Sequence, residues 1–251
     1  MKESLDELRL KEEYQSIILY TRGYVEHILN FLPISIHDFT DHGMLHSNNL
    51  LKLFVRFARN IRGFSFSQEE KLLICLAIYV HDVGCIIGRS EHNKKSAKLI
   101  MKHSSFSYLQ SQIGSDLLNC LKCVTLSHSG TYDLQKIQKE PIHDEVNLRV
   151  ICAVFRLLDE CEISSARVSK PLYDILTSYS KIKSEHRKYW DAHISIISLV
   201  FRGKKIIIDS DNLGKTRLLS NHLKKNLQQI NRIFQEEHLP QLTVELVRQK
   251  F

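Results

Sequence analysis

The spacing of apolar residues predicts a mainly helical chain up to about residue 185. Apolar positions recur at helical intervals over residues 1–32, which predicts one N-terminal helix. The same periodicity predicts helices at about 45–61, 67–81, 92–103, 112–127 and 144–162. Ser67 stands at a suitable N-cap position for the helix at 67–81, and Pro171 opens a further short helix that runs to Tyr179.

The pattern changes after Trp190. Two runs rich in β-branched residues, 193–201 and 205–209, are separated by a short turn that contains a glycine, a combination that predicts a β-hairpin. Helical spacing returns over residues 213–237, and residues 241–248 alternate apolar and polar positions as a strand does. The C-terminal part is therefore predicted to contain strand, strand, helix and strand, in this order.

The predicted fold class is mainly α, a helical bundle with a small C-terminal α+β appendage. The bundle is assigned to residues 1–185 and the appendage to residues 186–251. No segment rich in glycine, proline or serine separates the two. Because domain boundaries usually fall in such linkers, the appendage is expected to pack on the bundle.

A histidine and an aspartate, His81 and Asp82, close the apolar run that extends from Leu72 to Val80. Burying two ionisable groups at the end of such a helix costs several kcal/mol (of the order of 2–7 for a polar group) unless a partner compensates for the lost water. A divalent metal ion is a suitable partner when other histidines and an acid are near. Such residues are present, each in or beside a predicted helix: His46, His92, His128 and Asp159.

Two other His-Asp pairs are predicted to be loop residues. His37-Asp38 and His143-Asp144 both lie in polar segments close to a proline. His81-Asp82 differs because an apolar helix precedes it and Gly84 follows, which allows a tight turn.

The order of these residues resembles that of the HD superfamily of metal-dependent phosphohydrolases. Five segments carry the resemblance: Thr40–Ser47, Leu76–Gly84, Glu91–Ala97, Leu126–Gly130 and Phe155–Ser164. The two histidines beyond the minimal set, His92 and His128, are similar to those of the subgroups that have six ligands. The resemblance covers about residues 35–170 and implies an HD-type helical bundle.

The resemblance also implies a set of metal ligands. In this scheme His46, His81, Asp82 and Asp159 hold one ion, whereas His92 and His128 hold a second ion and Asp82 bridges the two. Mixed imidazole and carboxylate ligands suit Mn, Fe, Ni, Co or Zn better than Mg or Ca. Two such ions ~3.5–4 Å apart can activate a bridging water for attack on phosphorus.

Basic residues lie close in sequence to the predicted ligands, namely Arg89, Lys94, Lys95 and Arg156. Together with Asp82, three of them are the catalytic candidates: Arg89, Lys95 and Arg156. Arg156 could instead pair with a nearby acid. His42 is one helical turn before His46 and is expected to contact a ligand or the substrate.

Two further residues leave alternatives open. His103 is a rival for the role of His92, although no small residue and alanine follow it. Arg167 matches an arginine of the family and could equally brace a helix. Two positions depart from the family pattern: Cys85 stands where several phosphodiesterase subgroups carry lysine, and Cys161-Glu162 stands where Leu-Asp is usual. The first departure puts a cyclic-dinucleotide phosphodiesterase in doubt.

Composition agrees with an enzyme that acts on anions. The formal net charge of +7 favours a phosphate-bearing small molecule, a nucleotide or a nucleic acid as partner. Six cysteines, several in apolar helices, are expected to be free thiols, and the Cys120/Cys123 pair to be structural. No apolar run approaches the ~20 residues of a membrane span, and the N-terminus does not resemble a signal peptide, so a cytoplasmic location is expected.

Three functions fit this sequence. The favoured one is hydrolysis of a phosphomonoester or phosphodiester, most simply of a nucleotide or cyclic nucleotide, by a metal-activated hydroxide. A di-iron oxygenase is the first alternative, because the same six ligands serve oxygenases of this fold. A nucleotide or nucleic-acid sensor without catalytic activity is the second, and the complete ligand set argues against it.

Overall fold

The computed structural model describes residues 1–35, 40 and 42–248, without the side chains of residues 33–35. His37, Asp38 and Asp41 therefore lie outside the described residues. The helices are α1 (Lys2–Glu7), α2 (Glu12–Ser35), α3 (Met44–Asn60), α4 (Gln68–Val80), α5 (His92–Lys102), α6 (Ser107–Ser127), α7 (Leu148–Cys161), α8 (Lys170–Ser178), α9 (Ser184–Ile194) and α10 (Leu213–Glu236). The strands are β1 (Ile196–Arg202), β2 (Lys205–Ser210) and β3 (Thr243–Arg248). The prediction of a mainly α protein with a small C-terminal α+β element is confirmed.

Helix α4 is at the centre of the bundle. Every residue from Leu72 to Val80 is fully buried, because α2, α3, α6 and α7 pack around this helix. A helix that is apolar on all sides has no face suited to water and must be surrounded in this way. Ser67 caps its N-terminus, where its side chain accepts a hydrogen bond from the backbone N–H of Glu70. His81 and Asp82, which follow the C-terminal end of α4, therefore lie in the interior of the protein.

The N-terminal region differs from the prediction of one helix over residues 1–32. Two helices are present, α1 and α2, and they are separated at Arg9, whose φ of 53° is left-handed. A continuous right-handed helix cannot contain such a residue, and apolar periodicity does not report the backbone angle at one position. Apolar residues of both helices, such as Leu5 and Ile18, still reach the same core.

The strand predicted from residue 193 also begins later, at Ile196. His193 and Ile194 are the last residues of α9, and Ser195 caps this helix. β-Branched residues therefore continue across a helix end here, so that β-propensity alone misplaces the boundary.

The C-terminal element forms a three-stranded sheet in the order β1-β2-β3. β1 and β2 form the predicted antiparallel hairpin, whereas β3 returns parallel to β2 after α10. Ile206 and Ile208 of the central strand are fully buried in the same apolar cluster as the helices of the bundle. α10 packs against α7 and α9, and this packing brings two C-terminal helices beside the predicted ligand Asp159. Across the described residues, no helix combines the length and apolar character of a membrane span.

Candidate metal centre

His81 and Asp82 lie at the C-terminal end of α4, where 1% and 2% of their surfaces are exposed. Nδ1 of His81 is 3.1 Å from the carbonyl oxygen of Ala77 and 3.2 Å from that of Ile78. A carbonyl oxygen can only accept, so Nδ1 carries the proton and Nε2 has a lone pair. This Nε2 faces Asp82 Oδ2 at 3.4 Å and Asp159 Oδ1 at 3.8 Å. A ring held in this way is oriented as a metal ligand is.

Gly84 brings α5 close to this end of α4. A Cβ atom at residue 84 would lie 2.4 Å from the backbone nitrogen of Ser96 and 2.5 Å from the carbonyl oxygen of His92. The backbone N–H of Gly84 also donates to the Ser96 hydroxyl at 2.8 Å. Glycine is therefore required here for close packing against α5, which sets the position of His92 relative to Asp82.

His46 and Asp159 complete the first group of donors. His46, in the first turn of α3, is fully buried, and its Nε2 is 3.2 Å from Asp159 Oδ1 near the end of α7. Nδ1 of His46 is 3.0 Å from Oε2 of Glu162. Burial alone would lower the pKa of His46, but the carboxylates of Asp159 and Glu162 raise it to about 9. The negative charge of these two carboxylates would also attract a metal ion.

His92 and His128 form the second group. Nδ1 of His92 faces the carbonyl oxygen of Arg89 at 3.0 Å, and Nδ1 of His128 faces that of Thr125 at 2.6 Å. Both Nε2 atoms then carry lone pairs, yet they lie only 2.8 Å apart. Asp82 Oδ1 is 3.2 Å from the first and 3.9 Å from the second. Two acceptors this close repel each other unless a proton or a metal ion lies between them.

The donor set fits bound metal ions. Nε2 of His46 and of His81 is buried and makes no hydrogen bond to any described residue, a state that buried polar atoms rarely keep without a ligand. Burial lowers the pKa of His128 to about 3, so this ring is neutral, as a ligand must be. Three groups of possible ligand atoms share Asp82 or lie beside it: His42, His46 and Asp82; His46, His81 and Asp159; and Asp82, Cys85 and His92. Asp82 directs one oxygen towards each group of histidines, as a bridging carboxylate would.

His42 and Arg167 lie at the edge of this cluster. His42 Nδ1 is 3.0 Å from Asp82 Oδ2, so His42 contacts one of the predicted ligands. Arg167 Nη2 is 3.1 Å from His42 Nδ1, and its Nε is 3.5 Å from Glu162 Oε2. Arg167 thus connects two residues of the site and is itself 9% exposed.

The four predicted catalytic residues take different positions. Asp82 and Arg89 are together, because Arg89 Nη1 is 3.7 Å from Asp82 Oδ1. Lys95 instead directs its ammonium group to the carbonyl oxygen of Gly88 at 3.1 Å. Arg156 is fully buried and donates to the carbonyl oxygens of Ser127 and Tyr132 and to Oε1 of Gln229. Its position favours a structural role.

The two remaining candidates from the sequence are on the surface. Lys94 forms an exposed ion pair with Glu91. His103 ends α5, where its Nδ1 accepts a hydrogen bond from the backbone N–H of Ser105. His92 at the opposite end of the same helix is therefore the histidine that lies beside His128.

A cavity of about 540 Å³ opens beside the cluster. From the bundle it is lined by Thr40, His42, Arg89, Asp159, Glu160, Ile163 and Arg167. From α9 and α10 it is lined by Glu185, His186, Lys188, Tyr189, Trp190, His193, Leu219 and His222. Sequence reasoning missed the contribution of α9. The one available signal was the run of basic and aromatic residues from His186 to Trp190, which no motif connects to the ligands.

Comparison with known families supports the resemblance read from the motifs. A search of curated proteins finds no match to this chain. The model of the family described as HD-CE matches residues 36–229, which include every predicted ligand, α9 and most of α10. This match covers most of the chain, so the protein belongs to the HD-CE family of HD-type domains.

Proposed function

We propose that this protein is a metal-dependent phosphohydrolase that cleaves a phosphomonoester or phosphodiester bond, most simply in a nucleotide. One observation carries the proposal: the cluster of imidazole and carboxylate donors meets a cavity whose walls present arginine, lysine and histidine side chains. Donors of this kind bind transition metals, and the cationic groups of Arg89, Arg167 and Lys188 in the cavity walls can pair with phosphate oxygens. The net charge of +7 acts in the same direction.

The ligands would be divided between two ions. His46, His81 and Asp159 surround one position, whereas His92 and His128 surround the other, with Asp82 between them. Bound ions would supply an activated water and would draw charge from the phosphoryl oxygens. The backbone carbonyls and Glu162 keep the proton on Nδ1 of each ring, so that each Nε2 remains a donor to metal.

The cavity walls would hold the rest of the substrate. Arg89 lines the cavity and already contacts Asp82, so its guanidinium group can pair with a phosphoryl oxygen next to the ions. Lys188 of α9 also lines the cavity and offers a further positive charge. Tyr189 is 42% exposed, with the Lys188 ammonium 5.3 Å from its ring centre, and provides an aromatic surface on which a base can stack.

The test is a panel of phosphatase and phosphodiesterase substrates assayed with Mn, Co or Ni in the absence of oxygen. Hydrolysis under these conditions is expected. His46→Ala and Asp159→Ala should abolish it. His143→Ala should leave it near the wild-type rate, because His143 lies in a surface turn where its Nδ1 accepts from the backbone N–H of Glu145.

Two outcomes would contradict the proposal. Turnover that requires iron and consumes O₂ would instead establish an oxygenase built on the same ligands. Nucleotide binding without turnover, with every metal tested, would identify a sensor.

A further inference from the structure

We propose that Cys85 is a fourth ligand of the second ion, which makes this position a mixed site of Asp82, Cys85, His92 and His128 that selects a thiophilic metal such as zinc. The inference rests on the proposed metal centre and adds to it. The motifs of the sequence give Cys85 no role beyond a departure from the lysine found in several related subgroups.

The position of Cys85 follows from the turn after α4. Cys85 lies in the short 3₁₀ helix Val83–Ile86, where 1% of its surface is exposed. Its Sγ is 3.6 Å from Asp82 Oδ1. One possible ligand atom from each of Asp82, Cys85 and His92 lies within 4.8 Å of the others. Ligands bound at about 2.0–2.3 Å from one ion are themselves ~3–4 Å apart, so these three donors need only a small movement to share one ion.

The positively charged guanidinium group of Arg89 contacts all three of these possible ligand atoms. Arg89 Nη1 is 3.5 Å from Cys85 Sγ, 3.2 Å from His92 Nε2 and 3.7 Å from Asp82 Oδ1. A guanidinium nitrogen can only donate, so sulfur, nitrogen and oxygen all act as acceptors towards it. A metal ion would also need lone pairs from these three atoms. On binding, it would displace the Arg89 side chain towards the cavity, which Arg89 already lines.

Metal binding would also change the state of the thiol. Coordination to a divalent ion deprotonates a thiol, and the proton leaves to solvent. Thiolate ligands favour zinc, iron or cobalt, whereas the oxygen and nitrogen donors of the first position accept manganese as well.

Cys85 differs in this respect from the other cysteines. All six are free, and Cys75, Cys120 and Cys152 are fully buried in the apolar core. Among the described residues, Cys85 is the one cysteine that belongs to a group of possible ligand atoms. Cys75 has similar burial but no such group, which makes Cys75→Ser a matched control for Cys85→Ser.

The experiment loads full-length protein with Co(II) and records the near-ultraviolet absorption of sulfur-to-cobalt charge transfer. The band is expected in the wild type and in Cys75→Ser as the second equivalent binds, and it should be absent in Cys85→Ser. Zinc titration should show the second ion weakened by at least ~10-fold in Cys85→Ser, with the first ion unchanged. Retention of the first ion shows that the variant is folded.

The outcomes separate this inference from the proposed function. Two cobalt ions bound to the wild type without the sulfur band, or a band that persists in Cys85→Ser, would exclude Cys85 as a ligand and leave the metal-dependent hydrolase intact. A wild type that binds no second ion would overturn the inference and the two-ion centre together. Neither result depends on knowing the substrate.

Discussion

Glu162 holds Nδ1 of His46 at 3.0 Å, although the two residues are 116 positions apart in the chain. Both are buried, and Glu162 also contacts Arg167 and the hydroxyl of Ser164. Burial raises the pKa of Glu162, but the contacts with His46 and Arg167 outweigh it and keep the pKa below its usual value. The ionised carboxylate accepts the Nδ1 proton, so that Nε2 faces Asp159 and would become a donor once a metal ion replaces its proton.

The first prediction concerns this carboxylate. Glu162→Gln should weaken the first metal ion by about 10–100-fold, because an amide orients the His46 ring less firmly and removes negative charge beside it. Metal titration followed by calorimetry measures the change. Glu160→Gln is the control, since Glu160 pairs with His222 and not with a predicted ligand. If both variants lose metal affinity equally, the total negative charge near the site, and not the contact with His46, sets the affinity.

The second prediction concerns the bridge. Asp82 Oδ2 is 3.4 Å from His81 Nε2 and Asp82 Oδ1 is 3.2 Å from His92 Nε2, so Asp82→Ala should remove both ions. Elemental analysis of the purified variant measures the metal content. Asp144→Ala, in the other described His-Asp pair, should keep the full content because residues 143–144 lie in a surface turn beside the N-terminal end of α4, opposite to the end that carries Asp82. Full metal retention in Asp82→Ala would refute the bridging role.

The third prediction separates the two ions. His92→Ala and His128→Ala should each weaken one ion and leave the other bound, because their Nε2 atoms lie together on the Oδ1 side of Asp82. His46→Ala should weaken the opposite ion. Titration with two resolved binding steps distinguishes these cases. Loss of the same step in all three variants would indicate a single position.

The ligands could be predicted from the sequence because the apolar residues around them indicate that they are buried. The apolar run before His81 implies an interior helix, and two ionisable residues at its end need partners. The family order then supplied His46, His92, His128 and Asp159 as expectations, and the structure brings these side chains together. Elements with strong periodicity, such as α4, were also predictable within a residue or two at each end.

Other features depend on tertiary contacts that no local pattern contains. Arg156 is three residues before Asp159, one helical turn away, yet its side chain points to the carbonyl oxygens at the end of α6. Lys188 and Tyr189 reach the cavity only because α10 packs against both α7 and α9. In the sequence, Glu162 is only a departure from the family motif. Its contact with His46, which is far away in the chain, is visible only in the folded protein.

The fourth prediction follows from the position of Arg156. Arg156→Ala should lower the free energy of unfolding by ~2–4 kcal/mol, because it leaves two carbonyl oxygens without their charged donor and opens space in the core. Metal content should stay near the wild-type level. Urea denaturation measures the stability, with Arg62→Ala as a control on the exposed surface. A stable variant that binds metal but has no activity would restore Arg156 as a catalytic residue.

The last prediction tests the wall that α9 adds to the cavity. Lys188 is exposed and lines the cavity, so Lys188→Ala should raise KM for a phosphate-bearing substrate roughly 10-fold, the effect of losing one contact of ~1.4 kcal/mol with a charged group. The value of kcat should change much less, because Lys188 is not among the groups that surround the metal positions. Lys94→Ala is the control: Lys94 is two residues from the predicted ligand His92, but its charge is paired with Glu91 on the surface and it does not line the cavity. If Lys94→Ala raises KM as much as Lys188→Ala does, the overall positive charge attracts the substrate and the wall of α9 does not select it.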